Sequence, residues 1–134
     1  MWYIDSSAII KLIKPEKESA ALTKKLPSAL IASRISRVEV TRTIIRYEPD
    51  LLDATYDVLA DIQMVPVEDA IVTIAENLPQ FIELRSLDSL HIASALAIND
   101  AVVSIISCCL LAVNLLKANA MVYYFLYLIY ISKL

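Results

Sequence analysis

Trp2-Tyr3-Ile4-Asp5-Ser6-Ser7-Ala8 is the stretch that decides the fold. A short apolar run, Trp2 to Ile4, reads as a first strand, and it stops at an acid. Ser6 or Ser7 can cap the helix that follows, Ala8 to Lys14. A strand ending in an acid beside a helix start is where an open α/β sheet places functional groups. An acid there is also an ordinary cap or first-turn residue, and position alone weighs the two readings equally.

Working outward, the same alternation continues. Pro15 suits the first turn of a helix over Glu16 to Leu26, because its missing N–H is not needed there. Ala29 to Ala32 is a second strand, and Ser33 can cap a long helix, Arg34 to Tyr47, which stops at Pro49-Asp50. Leu51 to Ile62 shows helical apolar spacing. Met64 to Val67 is strand-like, with Pro66 indicating an edge or a strand end. Glu68 to Leu78 is helical, with acids at its start. Ser86 precedes a helix over Leu87 to Ile98. Ala101 to Ile106 is an apolar strand, Leu110 to Ala118 a helix and Met121 to Phe125 a final strand. Strands alternating with helices predict a mainly parallel central sheet flanked by helices.

Composition bounds the function. The 134 residues suit one domain with a substantial core. Apolar residues make up 58%, which excludes a disordered chain. At a net charge of −3 no bulk positive field attracts RNA or anionic lipid, so nucleic-acid binding needs local patches or metal ions. Met1 to Asp5 has no basic stretch and carries an early acid, which points to a cytoplasmic protein. Cys108 and Cys109 are adjacent and poorly placed to bridge each other, consistent with a reducing compartment. Glycine is absent, although average usage would supply roughly nine. Of the charged residues (12 Lys and Arg, 15 Asp and Glu), only Lys117 and Lys133 lie beyond residue 100. The chain changes character near residue 101.

Three acids are candidates for chemistry. Asp5 has the strand-end position. Glu39 lies in the helix Arg34 to Tyr47, where a solvated face is the ordinary expectation. Arg42 and Arg46 share nearly the same face and could pair with Glu39 or contact a phosphate. Asp88 begins the helix in Leu87-Asp88-Ser89-Leu90-His91-Ile92-Ala93, where an acid complements the helix dipole. His91 follows one turn later. It reads as a satisfied core or rim residue, because oxygen-rich Mg²⁺ sites seldom use imidazole.

Together these segments resemble a family. Ile4-Asp5-Ser6-Ser7-Ala8 looks like the opening motif of PIN-domain nucleases. Ser36-Arg37-Val38-Glu39-Val40 is similar to their glutamate-bearing helix, and Leu87 to Ala93 to the segment around their third acid. In order and spacing the motifs resemble the VapC toxins of bacterial type II toxin–antitoxin pairs. The resemblance spans residues 1–125, is strongest at 3–13, 33–46 and 85–98, and leaves 126–134 as a divergent apolar tail. It implies a three-layer α/β/α PIN-like fold and an RNA endonuclease using Mg²⁺ or Mn²⁺ held by Asp5, Glu39 and Asp88, with Ser7 supporting the site through hydrogen bonds. It also implies an RNA substrate, a cognate antitoxin and a homodimer. The chemistry is coherent: a divalent cation neutralises the phosphate and activates water, and hard ions take carboxylate oxygens. A haloacid-dehalogenase reading is set aside, since it needs a second Asp where Ser7 stands.

The resemblance breaks at the fourth acid. Members carry a Thr/Ser–x–Asp segment after the penultimate strand; here it reads Ser107-Cys108-Cys109. Ser107 fits the first position, and Cys109 stands where the acid is expected. A thiol is a poor Mg²⁺ ligand. Asp100 precedes the strand and is expected at the opposite end of the sheet. Two readings therefore stand: an active or impaired ribonuclease, and a catalytically inactive PIN-like domain that keeps antitoxin binding or dimerisation. Membrane insertion is the third reading. The uncharged runs at 101–116 and 120–132 fall short of the roughly 20 residues a spanning helix needs, so no membrane partner is expected.

Overall fold

The computed structural model describes residues 2–14, 24, 26, 28–78 and 84–98, together with the backbone of 105–106. Strand β1 (Trp2–Ile4) leads into helix α1 (Ser6–Ile13), and β2 (Leu30–Ser33) leads without a loop into α2 (Arg34–Tyr47). A single 3₁₀ turn, Pro49–Leu51, enters α3 (Leu52–Ala60), which precedes β3 (Ile62–Val65), α4 (Asp69–Glu76), α5 (Ser86–Leu96) and β4 (Ile105–Ile106).

The strands lie in the order β3-β2-β1-β4, and every pairing is parallel. Tyr3 sits opposite Ile31 on one side and Ile105 on the other, so the strand that ends at Asp5 is interior to the sheet. Side chains along each strand alternate between the two faces. Ile4, Ala32 and Ile62 go to one face, where Ala8, Ile9 and Ile13 of α1, Val40 and Ile44 of α2 and Leu59 of α3 cover them. Tyr3 and Ile31 go to the other face and pack with Ala95 of α5. Helix α4 packs on α5. The result is the three-layer α/β/α arrangement expected from the sequence. Ile4, Ile9 and Ile44 are all but completely buried, and each such side chain contributes about 1.5–3 kcal/mol of apolar burial.

The bounds of α2 agree with expectation, and several others move. The strand expected at Met64 to Val67 lies at Ile62–Val65, because in-register pairing with Leu30–Ser33 begins at Ile62 and Pro66, lacking an N–H, ends it. The helix expected over Leu51 to Ile62 is shorter, since Pro49 winds the entry as a 3₁₀ turn and Ile62 is drawn into the sheet. The expected helices at 16–26 and 110–118 and the final strand at 121–125 lie outside the described residues, apart from Lys24 and Leu26. So do the apolar runs at 101–116 and 120–132, apart from Ile105 and Ile106. Among the described residues no helix is long and apolar enough to cross a membrane.

Candidate active site

All strands being parallel, Asp5, just after β1, and Ser33, the last residue of β2, lie at the same carboxyl end of the sheet. Asp5, rather than Ser6 or Ser7, is the N-cap of α1. Its Oδ1 accepts from the Ala8 N–H at 2.9 Å and from the Ser7 hydroxyl at 2.8 Å. Asp5 is therefore a helix cap, and Ser7 is one of the two donors that hold its Oδ1. Among the described residues its second oxygen, Oδ2, has no hydrogen bond.

Ser33 was expected to cap α2. It holds the N-cap position but makes no side-chain cap bond; its hydroxyl instead bonds the Ser94 hydroxyl at 3.0 Å. Both serines are completely buried. A buried hydroxyl costs free energy unless it is hydrogen-bonded, and Ser94 of α5 is the partner that meets this need.

Glu39 lies in the second turn of α2 and is partly buried. Its Oε2 accepts from the Ser6 hydroxyl and from His91 Nε2, the latter at 2.8 Å. Burial opposes the charged form of Glu39. The hydrogen bonds from His91 and Ser6, with the attraction of the imidazole charge, outweigh it and hold the carboxyl below its ordinary value. On the far side of the ring, His91 Nδ1 is 2.9 Å from the Tyr3 hydroxyl, which accepts from the Ser33 N–H at 3.2 Å. Burial raises the Tyr3 phenol well above its ordinary value, so it keeps its proton.

Of the residues singled out in the sequence, Glu39 is joined to the segments around both other acids: Ser6 follows Asp5, and His91 stands one helical turn beyond Asp88. Asp88 itself is exposed in the first turn of α5. Arg42 does not pair with Glu39; it is exposed, and the bonded carboxylate oxygen faces Ser6 and His91 instead. Arg46 lies over the Tyr47 ring, 5.2 Å from its centroid. Ser107, Cys109 and Asp100 lie outside the described residues. Among the described residues no three His, Cys, Asp or Glu side chains gather closely enough to hold a metal ion by themselves. Tyr3 and Ser94 join this network with no role foreseen for them, and Ser6 and Ser33, foreseen only as caps, join it as hydrogen-bond partners. One signal was available: a tyrosine inside an apolar strand needs a hydrogen-bond partner when buried, and His91 and Ser94, three apart on one helix, are the kind that supply one.

Residues 2–105 match the PIN domain family. Over 95 residues the chain is 36% identical to Ribonuclease VapC46 of Mycobacterium tuberculosis, covering 69% of this chain and 72% of that protein. A toxin–antitoxin complex from Klebsiella pneumoniae superposes with a TM-score of 0.68 at 19% identity, over 80% of this chain and 85% of that one. VapC20 of Mycobacterium tuberculosis, described as a sarcin-ricin loop cleaving toxin, superposes at 0.58 and 14% identity, over 69% and 79%. These two likenesses concern the fold. The family match and the sequence identity show that this chain belongs to the PIN-domain family, among the VapC-like ribonucleases.

Proposed function

We propose that this chain is a metal-dependent RNA endonuclease toxin that cleaves RNA phosphodiesters at a site made by Asp5, Glu39 and Asp88, and that a cognate antitoxin binds it. The observation that carries the reading is the hydrogen-bonded junction at Glu39, where Ser6, next to Asp5, and His91, one turn from Asp88, meet one carboxylate. The donor chemistry fits Mg²⁺ or Mn²⁺. Asp5 and Glu39 each have one oxygen tied within the protein and one without a hydrogen bond among the described residues. Mg²⁺ is commonly held by one or two carboxylates and keeps several waters, so Asp88 can act through such a water. When bound, the cation neutralises the phosphate and lowers the pKa of water. The protein's own part is to hold Asp5 Oδ1 on the α1 N-terminus and Glu39 Oε2 against Ser6 and His91, so that the carboxylates meet the ligand already oriented. With a net charge of −3, acids without a cation would repel RNA.

The working unit on this reading is residues 1–125, acting as a homodimer in the cytoplasm, with 126–134 a divergent tail. Arg42 and Arg46 contact RNA phosphates. Ser107 supports the site at the fourth-acid segment, where Cys109 replaces the acid. That replacement favours a second reading, a weakened or inactive PIN domain that keeps antitoxin binding or dimerisation.

One assay tests both readings. Purified chain is incubated with labelled RNA and Mg²⁺ or Mn²⁺, with and without chelator. Cleavage abolished by chelator and by Asp5→Asn, Glu39→Gln or Asp88→Asn supports the nuclease; cleavage that survives Asp5→Asn overturns it. A gain of cleavage in Cys109→Asp supports the weakened reading, and an active wild type unchanged by that substitution overturns it.

A further inference from the structure

His91 is the single histidine of the chain, and both of its ring nitrogens are engaged. Its side chain is 11% exposed. Nε2 faces a carboxylate oxygen, which can only accept, so Nε2 carries a proton. In the neutral ring Nδ1 is then an acceptor, and the group beside it is the Tyr3 phenol. Tyr3 is fully buried and already accepts from the Ser33 N–H, which directs its own proton toward Nδ1. The ring of Tyr3 meets the imidazole edge to face, with planes at 72°.

We propose that Tyr3 and His91 form a positioning relay for Glu39: the Tyr3 hydroxyl donates to Nδ1, fixes the Nε2–H tautomer, and so pins Glu39 Oε2 while the other carboxylate oxygen is left for a cation. His91 is a positioning residue, because it reaches the metal site only through Glu39. The relay starts on the interior strand that ends at Asp5 and runs through α5, the helix that bears Asp88. One chain of hydrogen bonds thus ties together the elements carrying all three acids. Partners that orient a metal-binding side chain typically change metal affinity 10- to 100-fold when removed. The inference rests on Glu39 being a metal ligand, and two separate measurements distinguish its failure from a failure of that reading.

The first measurement is ¹⁵N NMR of the metal-free protein with the imidazole in its neutral form. With one histidine the assignment is immediate. The expected result is a neutral ring protonated on Nε2. A ring protonated on Nδ1 or an even mixture of tautomers overturns the relay.

The second is Mn²⁺ binding followed by the paramagnetic resonance of the free ion. His91→Gln places an amide nitrogen near the Nε2 position and keeps the bond to Glu39. His91→Asn keeps a polar atom near Nδ1, beside Tyr3, but does not reach Glu39. Binding within a few-fold of wild type for the glutamine variant, with a 10- to 100-fold loss for the asparagine variant, supports positioning. Equal affinity in wild type and the asparagine variant, or equal loss in both variants, overturns it. A wild type that binds no Mn²⁺, or Glu39→Gln binding as well as wild type, overturns the metal-site reading and with it the service His91 performs there, whatever the tautomer.

Discussion

His91 Nε2 and Glu39 Oε2 stand 2.8 Å apart across 52 positions of sequence, joining α5 to α2. Both side chains are mostly buried, at 11% and 26% exposure, so water screens the contact less than it screens a surface pair. This contact and the bond from Ser6 are the reasons the Glu39 carboxyl stays ionised despite its burial.

That balance sets a dependence of stability on pH. A carboxyl whose folded value lies below the ordinary 4.5 stabilises the fold fully above 4.5, and the stabilisation is lost as pH falls through the folded value. In metal-free protein, wild type is expected to lose more stability than Glu39→Gln on acidification below pH 4.5. Urea unfolding of both from pH 7 to pH 3 measures it. Parallel profiles would show that the contact with His91 does not favour the charged carboxyl.

Tyr3 works in the opposite sense. Its phenol value is raised by burial, so its contribution is complete below the ordinary value of 10.0 and is lost as pH rises through the folded value. Wild type is expected to weaken above pH 10 more steeply than Tyr3→Phe. At neutral pH that variant leaves the Ser33 N–H and His91 Nδ1 without the hydroxyl, at a cost of about 1–3 kcal/mol. An unfolding free energy unchanged by Tyr3→Phe would contradict the buried hydrogen bonds.

Asp5 has two separable duties. Asp5→Ala removes the cap on the Ala8 N–H and is expected to cost about 0.5–2 kcal/mol. Asp5→Asn still accepts that bond and is expected to stay within a few tenths of wild type. If Asp5 is also a metal ligand, both variants lose cleavage. Activity retained by the asparagine variant would leave the cap as its only duty.

Ser36 is completely buried, and its hydroxyl finds no hydrogen-bond partner among the described residues. Ser36→Ala removes a polar group that water can no longer satisfy, and is expected to be neutral or to stabilise by about 1 kcal/mol. A loss of more than that in thermal or urea unfolding would reveal a partner for this hydroxyl.

How far the sequence could be read follows from the range of each interaction. Helix α2 was legible because Ser33 before it and Pro49 after it are local signals, and the parallel sheet because apolar runs alternate with helical spacing. The acids were singled out through their motif contexts alone. The shift of β3 to Ile62 was not, since register is fixed by pairing with β2 rather than by Met64 to Val67 themselves. The junction at Glu39 was hidden for a related reason. Its partners, Ser6 and His91, are 33 and 52 positions away, and helical periodicity reports nothing at that distance. Ser33 shows the cost of local reasoning: a good capping residue spends its hydroxyl on Ser94, 61 positions on.

The interior place of β1 also governs when this protein can finish folding. Tyr3 and Ile4 leave the ribosome 102 positions before Ile105 and Ile106, their second neighbours in the sheet. Until those arrive, the strand that presents Asp5 has an unpaired edge, and closing so long a loop is slow compared with forming a helix such as α2. β1 is made long before its second edge can pair, so a nascent chain halted before residue 105 carries Asp5 on a strand still open on that side.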